Sequence, residues 1–333
     1  MWVCKSPKAT FDYGSYQKFS CIWSRSVIAV QRCRRDVVGN VRRNLTALCP
    51  RGSIACRCRK DAPIAMAELK RIPDIERELH AILASPPDRQ SIDVVLAIVD
   101  FAKAIGLDAA EKLLESHPEI ANLRPSLSRE FHAYVADLEV AEARKQLGTE
   151  IVAPVSYRDI ASPASRAMFD RLDGLAAHVA KPDMKRIVMV GCGWRPVTMF
   201  HLHECTDARE IIGLDVIPDA VEAASALATK FGYGRIRIEH HDGVSFDYAG
   251  ADLVYVASMV SPKTAVINRI LETAPEHVRI VSWEPVALGR LWVESGELDR
   301  NPNIEITGRS EIRRLSQDVY AKRRRPASAT AES

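Results

Sequence analysis

The chain has 333 residues, enough for one large domain or two ordinary ones, and its 47% hydrophobic content is ample for a core. No stretch approaches the ~20 consecutive apolar residues of a membrane-spanning helix, so a soluble, cytoplasmic protein is expected. The net charge of +3 hides an asymmetry: residues 1–65 carry 13 Lys/Arg against 3 Asp/Glu, and the rest carries 33 against 40. A mildly acidic body argues against nucleic acid as its partner.

Six of the eight cysteines (Cys4, Cys21, Cys33, Cys49, Cys56 and Cys58) lie in residues 1–65. Zinc would want a CxxC pair or a histidine partner; Cys56-Arg57-Cys58 offers neither, so no metal site is expected. The Arg-rich bias suits a targeting peptide, but no apolar core region or cleavage pattern follows. We read residues 1–65 as a disordered basic leader or as sequence annexed by an early start, with Met66 as a natural beginning. Residues 323–333 read as a disordered tail: the basic run from Lys322 to Arg325 can touch nucleic acid, but with no interleaved aromatics it reads as solvated.

Residues 66–150 read as a helical domain. Ile72–Leu83, Ile92–Ile105, Ala109–Leu114 and Phe131–Leu147 place apolar residues three and four apart, and Pro86-Pro87, Gly106 and Pro125 interrupt them. His80, His117 and His132 stand apart and read as ordinary histidines. A polar connector from Pro154 to Pro163 carries Tyr157, Arg158 and Asp159. The next helix, Pro163–Val179, has Ser162 as its cap. Its polar residues Arg166, Asp170, Arg171 and Asp173 either face a ligand edge or are simply solvated.

From residue 186 strands and helices alternate, and residues 151–322 form a second domain. Ile187–Val190, Ile211–Leu214, Ile236–Glu239, Leu253–Ala257 and Arg279–Trp283 read as strands; Thr198–Ala208, Ala220–Phe231 and Lys263–Thr273 as helices. Ile304–Thr307 and Asp318–Ala321 are candidate closing strands. Repeated βα units of this length imply a parallel sheet, so the expected fold is α/β and Rossmann-like.

The first strand ends in Gly191-Cys192-Gly193. Two glycines allow close backbone approach to a ligand, and the helix behind them offers N–H groups. A dinucleotide fingerprint would put its third glycine at Pro196, so the pyrophosphate reading weakens. Asp215, 22 residues beyond Gly193, ends the second strand where an acid can accept from ribose hydroxyls. Asp242 follows the third strand and can face an adenine. A nucleoside ligand without a pyrophosphate fits best: S-adenosylmethionine rather than NAD. Cys192 reads as a compact filler. His201 and His203 sit two apart on a helix and do not share a face, and His240-His241 flank Asp242.

Four stretches, GCGWRPVTM (191–199), YVASMVSPK (255–263), VSWEPVALGRLWVES (281–295) and QDVYAKRR (317–324), resemble segments of the nicotianamine synthases. The likeness spans approximately residues 70–322, including the helical region. It implies a class I S-adenosylmethionine-dependent transferase domain preceded by a helical domain. It also implies transfer of the 3-amino-3-carboxypropyl group of S-adenosylmethionine to an amine, with methylthioadenosine released. The product would be a nicotianamine- or opine-type metallophore.

Gly191, Cys192, Gly193, Pro196, Asp215, Asp242, Ser258 and Met259 are the expected binding residues for S-adenosylmethionine. The acceptor is a small amine or amino acid, which must lose a proton before it attacks. Asp173, in Arg171-Leu172-Asp173 where the family resembles RLE, is the candidate base, with Tyr157 as a possible second participant. Arg290 is either a carboxylate clamp or a surface arginine. Two alternatives stand beside this reading: an ordinary small-molecule methyltransferase, and a non-catalytic cofactor-sensing or nucleic-acid-binding protein.

Overall fold

The computed structural model describes residues 91–116, 118–150, 156–161, 163–179 and 184–324. The expected leader, the Ile72–Leu83 helix, the Ser162 cap and the tail beyond residue 324 lie outside these residues; Arg323, expected in the tail, instead ends the last strand. Helices α1 (Ser91–Ile105), α2 (Leu107–Ser116) and α3 (Arg124–Gly148) come first, then a single helical turn at Tyr157–Ile160 and α4 (Pro163–Val179). Strand β1 (Arg186–Val190), α5 (Val197–Cys205), β2 (Glu210–Asp215), α6 (Pro218–Lys230) and β3 (Ile236–His240) follow. After β4 (Leu253–Val256), α7 (Lys263–Thr273) and β5 (Arg279–Pro285), the chain closes with β6 (Ile304–Arg309) and β7 (Ser316–Arg323).

The strands form one sheet in the order β3-β2-β1-β4-β5-β7-β6, parallel through β5 and antiparallel at β7 and β6. This is the Rossmann-like class I arrangement expected from the alternation. Buried runs such as IVMV in β1 and LVYV in β4 demand cover on both faces. Successive side chains supply it: Ile187 and Met189 pack with Phe169, Leu172 and Phe200 of α4 and α5, while Val188 and Val190 pack with Val266, Ile267 and Ile270 of α7. Strand order reverses between β1 and β4, so their carboxyl ends form the crevice where such sheets bind ligands.

Helices α1 to α3 share their core with a segment of the sheet domain. Val95, Ile98, Leu113 and Leu127 pack against Leu288, Leu291, Trp292 and Leu315. The exposed Arg290 fastens the same seam by pairing with Glu111 of α2. This packing seats α3 over the carboxyl edge of the sheet. Lys230 Nζ secures the helix end by donating to the carbonyls of Leu147 and Thr149 at 2.6 and 2.5 Å. Among the described residues no helix is long and apolar enough to cross a membrane.

A buried ion pair ties α4 to the sheet. Arg171 Nη1 donates to Asp318 Oδ1 and Oδ2 at 2.7 and 2.9 Å, and lies 3.0 Å from Tyr255 Oη. The guanidinium stacks 4.2 Å from the Trp283 ring centroid. Removing one partner strands a charge in the interior, at a cost of about 3–5 kcal/mol. Asp318→Asn should therefore lose stability on that scale in urea denaturation. The double variant Arg171→Met/Asp318→Leu should recover most of it.

Candidate active site

The turn after β1 is sewn to the end of β2. Gly191 and Cys192 donate their N–H groups to Leu214 O at 2.9 and 3.1 Å. The Asp215 carboxylate accepts from Gly193 N at 2.8 Å and from Ile217 N at 3.0 Å. Gly191 and Gly193 hold φ of +75° and +68°, a region that glycine enters without penalty. Both also admit close neighbours: a Cβ on Gly191 would lie 2.7 Å from Val260 Cγ2, and one on Gly193 would lie 2.6 Å from Glu139 Oε2. Pro196 stands at the N-cap of α5.

Glu139 is the functional candidate that the sequence did not reveal. It projects from α3 over the turn, and its Oε2 accepts from Trp194 N at 3.3 Å. Burial raises its pKa above the ordinary value; Arg195 and the Trp194 N–H oppose that rise, and Asp215 adds to it. A carboxylate whose proton affinity is raised by burial, set in a crevice, is suited to general base work. The available signal was the spacing of Arg124, Ser128, His132 and Glu139, polar residues on one stripe of a helix that packs inward.

Several expected residues occupy other places. Asp173 lies on the outer part of α4, where Arg158 grips both oxygens at 3.0 and 2.6 Å. Arg158 holds its carboxyl below the usual range, which makes it a weak proton acceptor. Tyr157 is fully buried among Phe169, Phe200 and Phe231, and its hydroxyl accepts from Gln146 Nε2 at 2.7 Å and lies 3.4 Å from Arg195 Nη1. It supports the turn from beneath. Arg290 is engaged by Glu111 at the helical seam.

The remaining candidates stay around the crevice. Asp242 is exposed after β3, with Oδ1 accepting from Val244 N at 2.9 Å. Val216 and Ile217, 60% and 46% exposed, form an apolar shelf beside Asp215. Ser258 and Met259 are half-buried in the segment after β4. Burial, then the Asp215 charge, drives the Cys192 thiol far up, which suits a filler and opposes any nucleophilic role. Among the described residues no cluster of three or more His, Cys, Asp or Glu could hold a metal ion.

No protein-family model matches the chain, and no curated protein matches it in sequence. Among solved structures, MtNAS in complex with MTA and tNA is similar with a TM-score of 0.60 at 17% identity, covering 77% of this chain and 98% of that one. A single-residue variant of MtNAS gives 0.58 at 18% identity, covering 76% and 97%. The same variant in complex with S-adenosylmethionine gives 0.56 at 17%, covering 79% and 99%. The chain shares its fold with a nicotianamine synthase. That coverage exceeds the sheet domain, so the helices that carry Glu139 belong to the shared fold.

The Glu139 environment has a measurable consequence. Its folded pKa lies above an unfolded value near 4.5, so the folded state binds the extra proton and stability falls as pH rises through that interval. Glu139→Gln removes this cost. The variant should melt higher than the parent at pH 8, and the difference should vanish below about pH 4 in thermal scans.

Proposed function

We propose that the chain is an S-adenosylmethionine-dependent aminocarboxypropyl transferase. It passes the 3-amino-3-carboxypropyl group to the amine of a small acceptor, releases methylthioadenosine, and builds a nicotianamine- or opine-type metallophore. The observation that carries this reading is the pair of carboxylates, Asp215 and Glu139, that brackets the glycine turn. They accept the Gly193 and Trp194 N–H groups, while Leu214 O takes those of Gly191 and Cys192. A phosphate would find these donors spent and meet two acids. A cationic sulfonium attached to a nucleoside suits the same place.

The remaining groups fit that ligand. Asp215 keeps lone pairs for ribose hydroxyls, the Val216–Ile217 shelf offers an apolar surface for the base, and Asp242 stands ready for an exocyclic amine. Glu139 takes the proton of the acceptor ammonium. The freed nitrogen lone pair then attacks the γ-carbon of the donor in line with its sulfur. As the new C–N bond forms the C–S bond breaks, and its electron pair stays on sulfur, leaving neutral methylthioadenosine. Three carbons flank a sulfonium, so placement of the amine decides which one reacts. The MtNAS complexes with S-adenosylmethionine and with MTA and tNA support this choice.

Mass spectrometry of a mixed amino-acid incubation with S-adenosylmethionine should show methylthioadenosine and an acceptor enlarged by the aminocarboxypropyl unit. S-adenosylhomocysteine alone would make the chain a methyltransferase, and absence of turnover would favour a sensing protein. Glu139→Gln should lower turnover by about 10²–10⁴-fold, the usual contribution of a general base. Asp215→Ala should weaken S-adenosylmethionine binding by about tenfold or more in calorimetry, as loss of charged hydrogen bonds does. Asp173→Asn, at a half-exposed ion pair, should keep turnover within about threefold.

A further inference from the structure

Helix α3 is joined to the end of the glycine turn at two points. At the first, Glu139 Oε2 accepts from Trp194 N at 3.3 Å. At the second, seven residues and about two helical turns further on, Gln146 Nε2 donates to Tyr157 Oη at 2.7 Å, and the same oxygen lies 3.4 Å from Arg195 Nη1. Trp194 and Arg195 are consecutive, so the contacts close a ring. It runs from Glu139 along α3 to Gln146, across Tyr157 to Arg195, and back through one peptide bond to the partner of Glu139.

Tyr157 is the fixed member of this ring. It is fully buried, its ring centroid lies 5.1 Å from that of Phe200 and 5.3 Å from that of Phe231, and its N–H donates to Tyr233 Oη at 2.9 Å. Gln146 is also buried. Phenylalanine would fill the same space as Tyr157, so what the hydroxyl adds is its two contacts, with one lone pair for each donor. A side chain locked in this way can hold a mobile guanidinium in one place.

Three titratable groups face Glu139 from the turn and the end of β2: Arg195, Asp215 and Cys192. The thiol is neutral, because burial drives its pKa far up, and the two charged groups act in opposite directions. Burial and Asp215 favour the protonated form of Glu139, and Arg195 opposes them. A carboxylate that keeps its proton cannot take another, so the cation decides whether the group is available as a base.

We propose that Tyr157 and Gln146 are positioning residues that hold the Arg195 guanidinium beside the Glu139 carboxylate as its counter-charge. Resting on the transferase reading, this arrangement keeps Glu139 ready for the proton of the acceptor ammonium.

The test is a carbon-13 NMR titration of protein labelled at its glutamate carboxyls, with the Glu139 signal identified by its loss in Glu139→Gln. It is run beside a pH profile of methylthioadenosine release from S-adenosylmethionine in the mixed amino-acid incubation. Arg195→Met should move the Glu139 midpoint to higher pH and move the acid limb of the rate profile with it; Arg195→Lys, which keeps the charge, should return part of both shifts. Tyr157→Phe and Gln146→Leu should each move the midpoint the same way by less. The double variant Arg195→Met/Tyr157→Phe should move it no further than Arg195→Met alone, since the tyrosine acts through the arginine. A midpoint that stays in place in Arg195→Met would overturn the counter-charge. No shift in Tyr157→Phe, or one that adds in full to that of Arg195→Met, would overturn the positioning role. A midpoint that moves while the rate profile stays fixed would support the counter-charge and overturn Glu139 as the base instead.

Discussion

The carboxylate of Asp215 is the group on which the crevice depends. It is 8% exposed and joins two backbone segments that follow different strands, through Gly193 N and Ile217 N. Each hydrogen bond to a charged acceptor contributes roughly 1.5–3 kcal/mol, enough to hold a short turn with two left-handed glycines in one conformation. The parallel register of Val190 against Leu214 places the acid beside the turn. With the turn set, α3 and the segment after β4 can close to van der Waals contact over Gly193 and Gly191. A side chain at either glycine would hold them off.

This closure has an electrostatic cost. Burial raises the affinity of Glu139 for its proton and the Asp215 charge adds to the rise, while Arg195 and the Trp194 N–H oppose it. Groups that destabilise one another in the resting fold are characteristic of functional sites, because a ligand of opposite charge relieves the conflict. The Arg171–Asp318 pair shows the contrasting case, with charges matched, hydrogen-bonded and backed by an aromatic ring. One pair anchors α4 to the sheet; the other leaves room for a cation.

The sheet was legible because its signals are local. Lys263–Thr273 and Pro163–Val179 fall where the apolar spacing and the prolines put them, and the five parallel strands match their runs within two residues at either end. Two helices depart: α3 begins at Arg124, seven residues before the expected Phe131 and with Pro125 in its first turn. Helix α5 ends at Cys205 because Thr206 Oγ1 turns back to Leu202 O at 2.6 Å. The glycine turn was legible for the same reason: its glycines and Asp215 sit at strand ends and Pro196 at the start of α5. The base was not. Trp194 meets Glu139 across 55 positions, Arg290 meets Glu111 across 179, and Arg171 meets Asp318 across 147. No periodicity carries such pairings, so Asp173 looked available although Arg158, 15 residues earlier, already neutralises it.

Helix α3 joins the helical part of the chain to the sheet. Its outer turns bury Leu127 with Leu288, Leu291 and Trp292 after β5, so its position depends on that segment. Its inner turns carry Glu139 to the end of β1. A helix held at its outer end by apolar packing therefore sets where its far carboxylate meets the turn.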